Sequence, residues 1–300
     1  MAAVLPNFVI IGSMKCATST LHEQLARQPG IFMSEPKEPN FFSDDDVYER
    51  GHEWYAKLFE AGNGAALRGE SSTHYTKLPT HPRTLERMQR TLPDVKLVYM
   101  MRHPIDRLIS QYMHEWSMKK ISCSLPRALD EHPELIAYSQ YHMQITPFLA
   151  AYGPSNVLPV FMERLHIDSQ AELVRVCRFL GYSGTPQWRE DVAQQNVSSD
   201  RLRLGAGLGR ALFEQPQLAE LRRKFVPKRF RDALKSRLSM KERPVLSDAD
   251  RTSLSATFDA DLAQLGKLLG EPNLCSHSFK EQVTQRELGW APPQAAAGGA

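Results

Sequence analysis

Phe8-Val9-Ile10-Ile11 is a short uninterrupted apolar run closed by Gly12, and Leu21, Leu25 and the small Ala26 follow at helical spacing. An apolar run without polar alternation reads as a strand buried on both faces, here followed by a tight loop and a helix. The same unit recurs. A helical segment over residues 81–91 ends before Pro93, and Lys96-Leu97-Val98-Tyr99-Met100-Met101 reads as a second buried strand. Pro104 then suits the first turn of a helix whose apolar face is Ile105, Leu108, Ile109, Tyr112, Met113 and Trp116. A third unit comprises a helix over about 135–152, a strand over 157–161 and a helix over 169–180 stopped by Gly181. Strands alternating with helices predict an α/β fold, a central parallel sheet flanked by helices. Residues 187–209 read as loop, and a last amphipathic helix is expected over about 247–269. With no internal repeat and no dividing linker, one domain is expected over 1–290, and the Ala/Gly/Pro-rich 291–300 reads as a disordered low-complexity tail.

The loop after the first strand, Gly12-Ser13-Met14-Lys15-Cys16-Ala17-Thr18-Ser19-Thr20, suits a phosphate. Backbone N–H groups at a helix start point at an anion there, Lys15 adds a charge, and Thr18, Ser19 and Thr20 add hydroxyl donors. It is not a Walker A sequence, because Lys15 lies only three residues past Gly12 and no second glycine precedes it. The second strand ends in Arg102 rather than in the acid with which ATP- and GTP-using enzymes help hold Mg²⁺. An arginine there can bind a second anion directly, and Ser110, two helical turns on, can reach the same anion. No metal carboxylate is evident; Asp44-Asp45-Asp46 reads as a solvated loop or helix cap. Cys16 reads as a small filler, since no histidine is paired with it.

The net charge of +3 conceals an asymmetry: residues 201–243 hold 13 Lys/Arg against 4 Asp/Glu. Phe230, Leu234 and Leu238 among these cations outline a basic amphipathic helix, which packs its stripe on the body or meets an anionic surface such as a membrane. No interleaved aromatics or RNA-binding signature accompany it, so no nucleic-acid partner is expected. The four cysteines lie far apart with no C-x-x-C pair, and no signal peptide or membrane-length apolar run is evident. A cytoplasmic chain with reduced thiols is the expectation. Oligomeric state is not legible.

Three motifs together resemble the sulfotransferases that use 3′-phosphoadenosine 5′-phosphosulfate (PAPS), in particular the branch with heparan sulfate N- and 3-O-sulfotransferase domains and bacterial relatives. Lys15-Cys16-Ala17-Thr18-Ser19-Thr20-Leu21 resembles the family's K-x-G-T-T-x-L loop for the 5′-phosphosulfate. Arg102, Pro104 and Ser110 match its 3′-phosphate motif, and Glu35-Pro36-Lys37-Glu38-Pro39-Asn40-Phe41-Phe42 resembles the K-E-P-H-F-F segment whose Glu is the catalytic base. Residues 141–180 and 246–270 also resemble the family.

The resemblance implies a P-loop-kinase-like fold, PAPS as donor with 3′,5′-adenosine bisphosphate (PAP) as product, no metal, and an acceptor such as a glycan, a glycolipid or another small molecule. Glu38 would be the general base and Lys15 would meet the leaving-group charge. Lys15, Cys16, Ala17, Thr18, Ser19 and Thr20 would bind the 5′ end, and Arg102 and Ser110 the 3′-phosphate. Three departures stand out: Ala17 for glycine, Asn40 for histidine, and Ser71, in Gly69-Glu70-Ser71-Ser72-Thr73-His74-Tyr75, for a lysine that helps the reaction in the heparan enzymes. Lys37 and His74 are the possible substitutes for that lysine. The rival readings are a P-loop kinase or NTPase, and a non-enzymatic binder of anionic surfaces through 201–243.

Overall fold

A computed structural model describes residues 3–191 and 243–291. Five strands, β1 (Phe8–Gly12), β2 (Ile31–Met33), β3 (Leu67–Ser71), β4 (Lys96–Met101) and β5 (Val157–Phe161), form one parallel sheet in the order β2-β3-β1-β4-β5. The expected fold class holds. β1, β4 and β5 stand where their apolar runs are. β2 has only three residues, and β3 is Leu-Arg-Gly-Glu-Ser, whose buried polar residues hide it from a search for apolar runs.

The helices that matter for the site are α1 (Thr18–Ala26), α2 (Asp45–Tyr48), α3 (Gly51–Lys57), α4 (Thr84–Thr91), α5 (Pro104–Ser117), α6 (Leu125–Glu131), α7 (Glu134–Ala137) and α8 (Tyr141–Tyr152). They are followed by α9 (Met162–Ile167), α10 (Ser169–Leu180), α11 (Asp248–Leu269) and α12 (Phe279–Gln285). The helix expected over 135–152 is two helices, α7 and α8, broken between Ala137 and Tyr141. Gly181 and Gly270 terminate α10 and α11 in the left-handed conformation, which glycine adopts without a Cβ clash.

Alternate strand residues serve opposite faces, which is why the strands read as continuous apolar runs. Val9, Ile11, Leu97, Tyr99 and Phe161 pack under Tyr141, Ile145 and Phe148 of α8 and Leu262 and Leu265 of α11. Phe8, Ile10, Val98, Met100 and Val160 pack against Leu21 and Leu25 of α1 and Leu173 and Val176 of α10. The strand order reverses at β1, so the carboxyl ends of β1 and β4 border the crevice where open α/β sheets bind ligands. The basic helix outlined by Phe230, Leu234 and Leu238, and the tail after Ala291, lie outside the described residues.

Candidate functional site

The loop from Gly12 to α1 and the turn after β4 are held together at their bases. Ser13 N–H donates to the carbonyl of Met100 at 2.7 Å. Tyr141, buried at the start of α8, donates its hydroxyl to the Arg102 carbonyl at 2.6 Å and accepts from the Arg102 N–H at 3.2 Å. The Cys16 Sγ lies 3.9 Å from the same oxygen. One tyrosine thus fixes the spacing between the Lys15 loop and Arg102, a role not apparent from sequence because it depends on α8 packing over the sheet.

Gly12 has φ +143, and a Cβ there would stand 2.0 Å from the Thr76 Oγ1, which itself donates to the Ile11 carbonyl at 2.9 Å. A side chain would therefore push the loop off its seat. Ala17 adopts φ 64, ψ 22, the left-handed conformation, so alanine takes backbone angles more natural to glycine. Being alanine it offers no capping oxygen, and α1 has no side-chain cap and no acid in its first turn. The first-turn N–H groups of Thr18, Ser19 and Thr20 have no acceptor a turn earlier in the helix, which makes the end of α1 favourable for an anion.

Cys16 is set apart from the anion-facing groups. Its N–H is turned to the Ser13 carbonyl at 3.2 Å, and burial pushes its thiol up to about 12 despite Arg107 and Arg102 nearby. A thiol so disposed stays protonated, in keeping with a filler role.

Arg102 is half-buried, and its guanidinium forms no hydrogen bond or ion pair among the described residues. The nearby acid, Glu163, instead accepts the His103 N–H at 2.8 Å. Ser110 is buried on α5, and its hydroxyl is likewise without a partner among the described residues. These two groups are oriented by the fold yet unspent on it.

Across the crevice, Glu38 has φ 60 and Asn40 φ 53, so the turn carrying Glu38 twice adopts a conformation that costs non-glycine residues about 1 kcal/mol or more each. The end of β3 holds it. Asn40 N–H donates to Ser72 Oγ at 3.1 Å, and Ser72 donates to Glu70 Oε2 at 2.6 Å. Glu70 Oε1 accepts from Tyr55 and Tyr75, each at 2.8 Å. Glu70 is fully buried; burial pushes its carboxyl up while these three hydroxyls pull it down. Phe41 and Phe42 pin the far side of the turn, Phe41 stacking on Tyr55 at 4.5 Å. Glu38 itself pairs with Lys37 at 2.7 Å and meets Thr73 Oγ1 at 3.4 Å, whereas Glu35 is exposed.

Ser71 faces His22 of α1, Oγ to Nδ1 at 2.9 Å. Burial, aided by the Lys37 charge, pulls His22 down to about 4, so the imidazole is neutral near pH 7. Of the two candidate substitutes for a lysine at this position, Lys37 lies beside Glu38, but His74 is turned away to Asp44 Oδ1 at 2.9 Å.

Asp44, His74 and His81 bring three ligand atoms within 4.8 Å of one another. The two imidazoles, however, are stacked at 4.9 Å with planes 18° apart. A metal sits in the plane of each imidazole that binds it, and near-parallel stacked planes share no such point nearby; as arranged, His74 hydrogen-bonds Asp44 while His81 turns to the Ser43 carbonyl at 3.2 Å. Asp44 stands at the cap position of α2 but makes no side-chain capping bond, its carboxylate instead meeting His74 and Ser43, and Asp45 pairs with Arg83 and Arg87.

Comparison with known proteins finds similarity to sulfotransferases. The sequence model described as "Sulfotransferase family" matches residues 63–186. The membrane-associated sulfotransferase kil1 of Dictyostelium discoideum is 38% identical over 111 residues, 36% of this chain and 22% of that protein. Human heparan sulfate glucosamine 3-O-sulfotransferase 6 is 31% identical over 184 residues, 59% of this chain and 52% of that protein. The chain thus spans about half or less of the length of these curated relatives. A sulfotransferase crystal structure from Alicyclobacillus acidocaldarius superposes with a TM-score of 0.62 at 24% identity, covering 88% of this chain and 95% of that one, which shows the shared fold. The chain is thus similar to the sulfotransferase family in sequence over residues 63–186 and shares the fold of a bacterial sulfotransferase.

Proposed function

We propose that the chain transfers a sulfuryl group from PAPS to a hydroxyl or amine of an acceptor, a glycan or glycolipid by analogy with the heparan-modifying relatives. The observation that carries this reading is that the start of α1, beside Lys15, and the Arg102 guanidinium, uncommitted among the described residues, stand at the carboxyl ends of the neighbouring strands β1 and β4. Their position on neighbouring strands suits a donor with phosphates on the 5′ and 3′ sides of its ribose, and the arginine stands where a metal-binding acid would serve a kinase.

In this reading the acceptor oxygen or nitrogen forms a bond to sulfur as the sulfur–oxygen bond to the 5′-phosphate breaks. The electron pair stays on the phosphate oxygen, where Lys15 and the N–H groups of Thr18, Ser19 and Thr20 offset the growing charge. Glu38 takes the acceptor proton, its position held by the Ser72–Glu70 contacts. Arg102 and Ser110 hold the 3′-phosphate and so discriminate against nucleotides without one. A sulfuryl group carries less charge than a phosphoryl group, so positioning by these residues suffices without Mg²⁺.

The test is Glu38→Gln, assayed with labelled PAPS against a panel of acceptors beside PAP-binding calorimetry. The expected result is a loss of about 10²- to 10⁴-fold in transfer with PAP affinity unchanged. An active Glu38→Gln enzyme would overturn the base assignment, and nucleotide binding that needs Mg²⁺ and ignores the 3′-phosphate would overturn the donor assignment.

A further inference from the structure

Lys77 follows the turn Thr73–Thr76 that leads out of β3, and although it carries a charge the residue is only 9% exposed. Its ammonium lies over the Tyr138 ring, 5.6 Å from the centroid, and forms no hydrogen bond or ion pair among the described residues. The Tyr138 ring is itself fixed by a hydroxyl contact to Thr80 at 2.5 Å. An ammonium on a side chain so largely buried, with no hydrogen-bonding partner among the described residues, is left to be met by an acceptor from outside the chain.

The surroundings say for what. Burial, the largest influence, lowers Lys77 to about 8; Glu115 and Glu38 favour its charge, and Lys120 and Arg107 oppose it. Its charge is also felt by His74, on the turn that meets Glu38. The other polar groups around Glu38 are already engaged: Lys37 with Glu38, Ser71 with His22, and His74 with Asp44. Among the described residues Lys77 is a cation without a hydrogen bond or ion pair at the end of the turn that meets Glu38, and the position where the heparan enzymes carry a lysine is the neutral Ser71.

We propose that Lys77 binds an oxyanion beside Glu38, carried either by the transferring sulfuryl group or by an anionic substituent of the acceptor. The assignment rests on the sulfuryl-transfer reading above. An oxyanion would supply the missing hydrogen-bond acceptors, and the aromatic face of Tyr138 would restrict the ammonium to that direction.

The test compares wild type, Lys77→Met, which keeps the stem over Tyr138 without the charge, and Lys77→Arg, which keeps the charge. Affinities for PAP and PAPS are measured without acceptor, and inorganic sulfate is titrated into the PAP-saturated protein. If Lys77 meets the sulfuryl group, wild type prefers PAPS over PAP by about tenfold and Lys77→Met loses that preference. If it meets an acceptor substituent, the preference survives in Lys77→Met while sulfate binding to the PAP complex weakens about tenfold. Either result supports the site, with Lys77→Arg closer to wild type. Normal PAP binding with both quantities unchanged in Lys77→Met overturns the Lys77 assignment alone. Failure of wild type to bind PAP overturns the sulfuryl-transfer reading and this inference with it.

Discussion

Glu38 and Asn40 both sit at positive φ, and the strain is borne by a hydroxyl that no local pattern marks. Ser72 accepts from Asn40 and donates to Glu70, so its removal leaves a half-buried N–H and a buried carboxylate oxygen each short of a partner. Ser72→Ala is expected to lower kcat by about tenfold with the KM for PAPS little changed, because the loss falls on the Glu38 turn and not on the phosphate loops. Ser72→Thr, which keeps the hydroxyl, should restore most of the rate. Steady-state kinetics on the three proteins decide it, and an unchanged kcat in Ser72→Ala would show that the turn holds its shape without this bond.

At the scale of elements, α8 has no cap of its own, since Gln140 makes no side-chain capping bond. Asp261 in the middle of α11 supplies one from outside: Oδ2 accepts from His142 N–H at 2.9 Å and Oδ1 from Met143 N–H at 3.1 Å. These bonds flank Tyr141, which orients Arg102. Asp261→Ala is expected to cost about 1 to 2 kcal/mol and to lower Tm by a few degrees. Asp261→Asn, which keeps one acceptor, should cost less. Thermal unfolding measures both, and a parallel loss of PAP affinity in Asp261→Ala would show that the cap also serves the site.

At the scale of the whole molecule, burial of His22 makes folding depend on pH. Its folded value, about 4, lies below the 6.5 of an exposed histidine, so between these limits the unfolded chain binds more protons. The stabilisation is therefore complete above pH 6.5 and is lost as pH falls toward 4, by up to about 3 kcal/mol from this group. Urea unfolding from pH 4 to 7 on wild type and His22→Gln checks it: the variant should show a flatter curve over that window, and identical curves would show that His22 does not govern it.

The sheet-building units are written into the local chain, because a buried parallel strand needs a continuous apolar run and a helix needs a periodic stripe. β1, β4 and β5 and the long helices α5, α10 and α11 were legible for that reason. β3 was not, since Glu70 and Ser71 are polar residues buried by partners distant in sequence. Nor were the roles of Tyr141, His22 and Lys77, whose meaning comes from which atoms lie beside them: an Arg102 backbone, a Ser71 hydroxyl, and for Lys77 the face of Tyr138. Only the tertiary structure decided which polar groups are spent on holding the fold and which remain for a ligand, because hydrogen-bond satisfaction in a buried site is a property of the packed molecule and not of any stretch of chain.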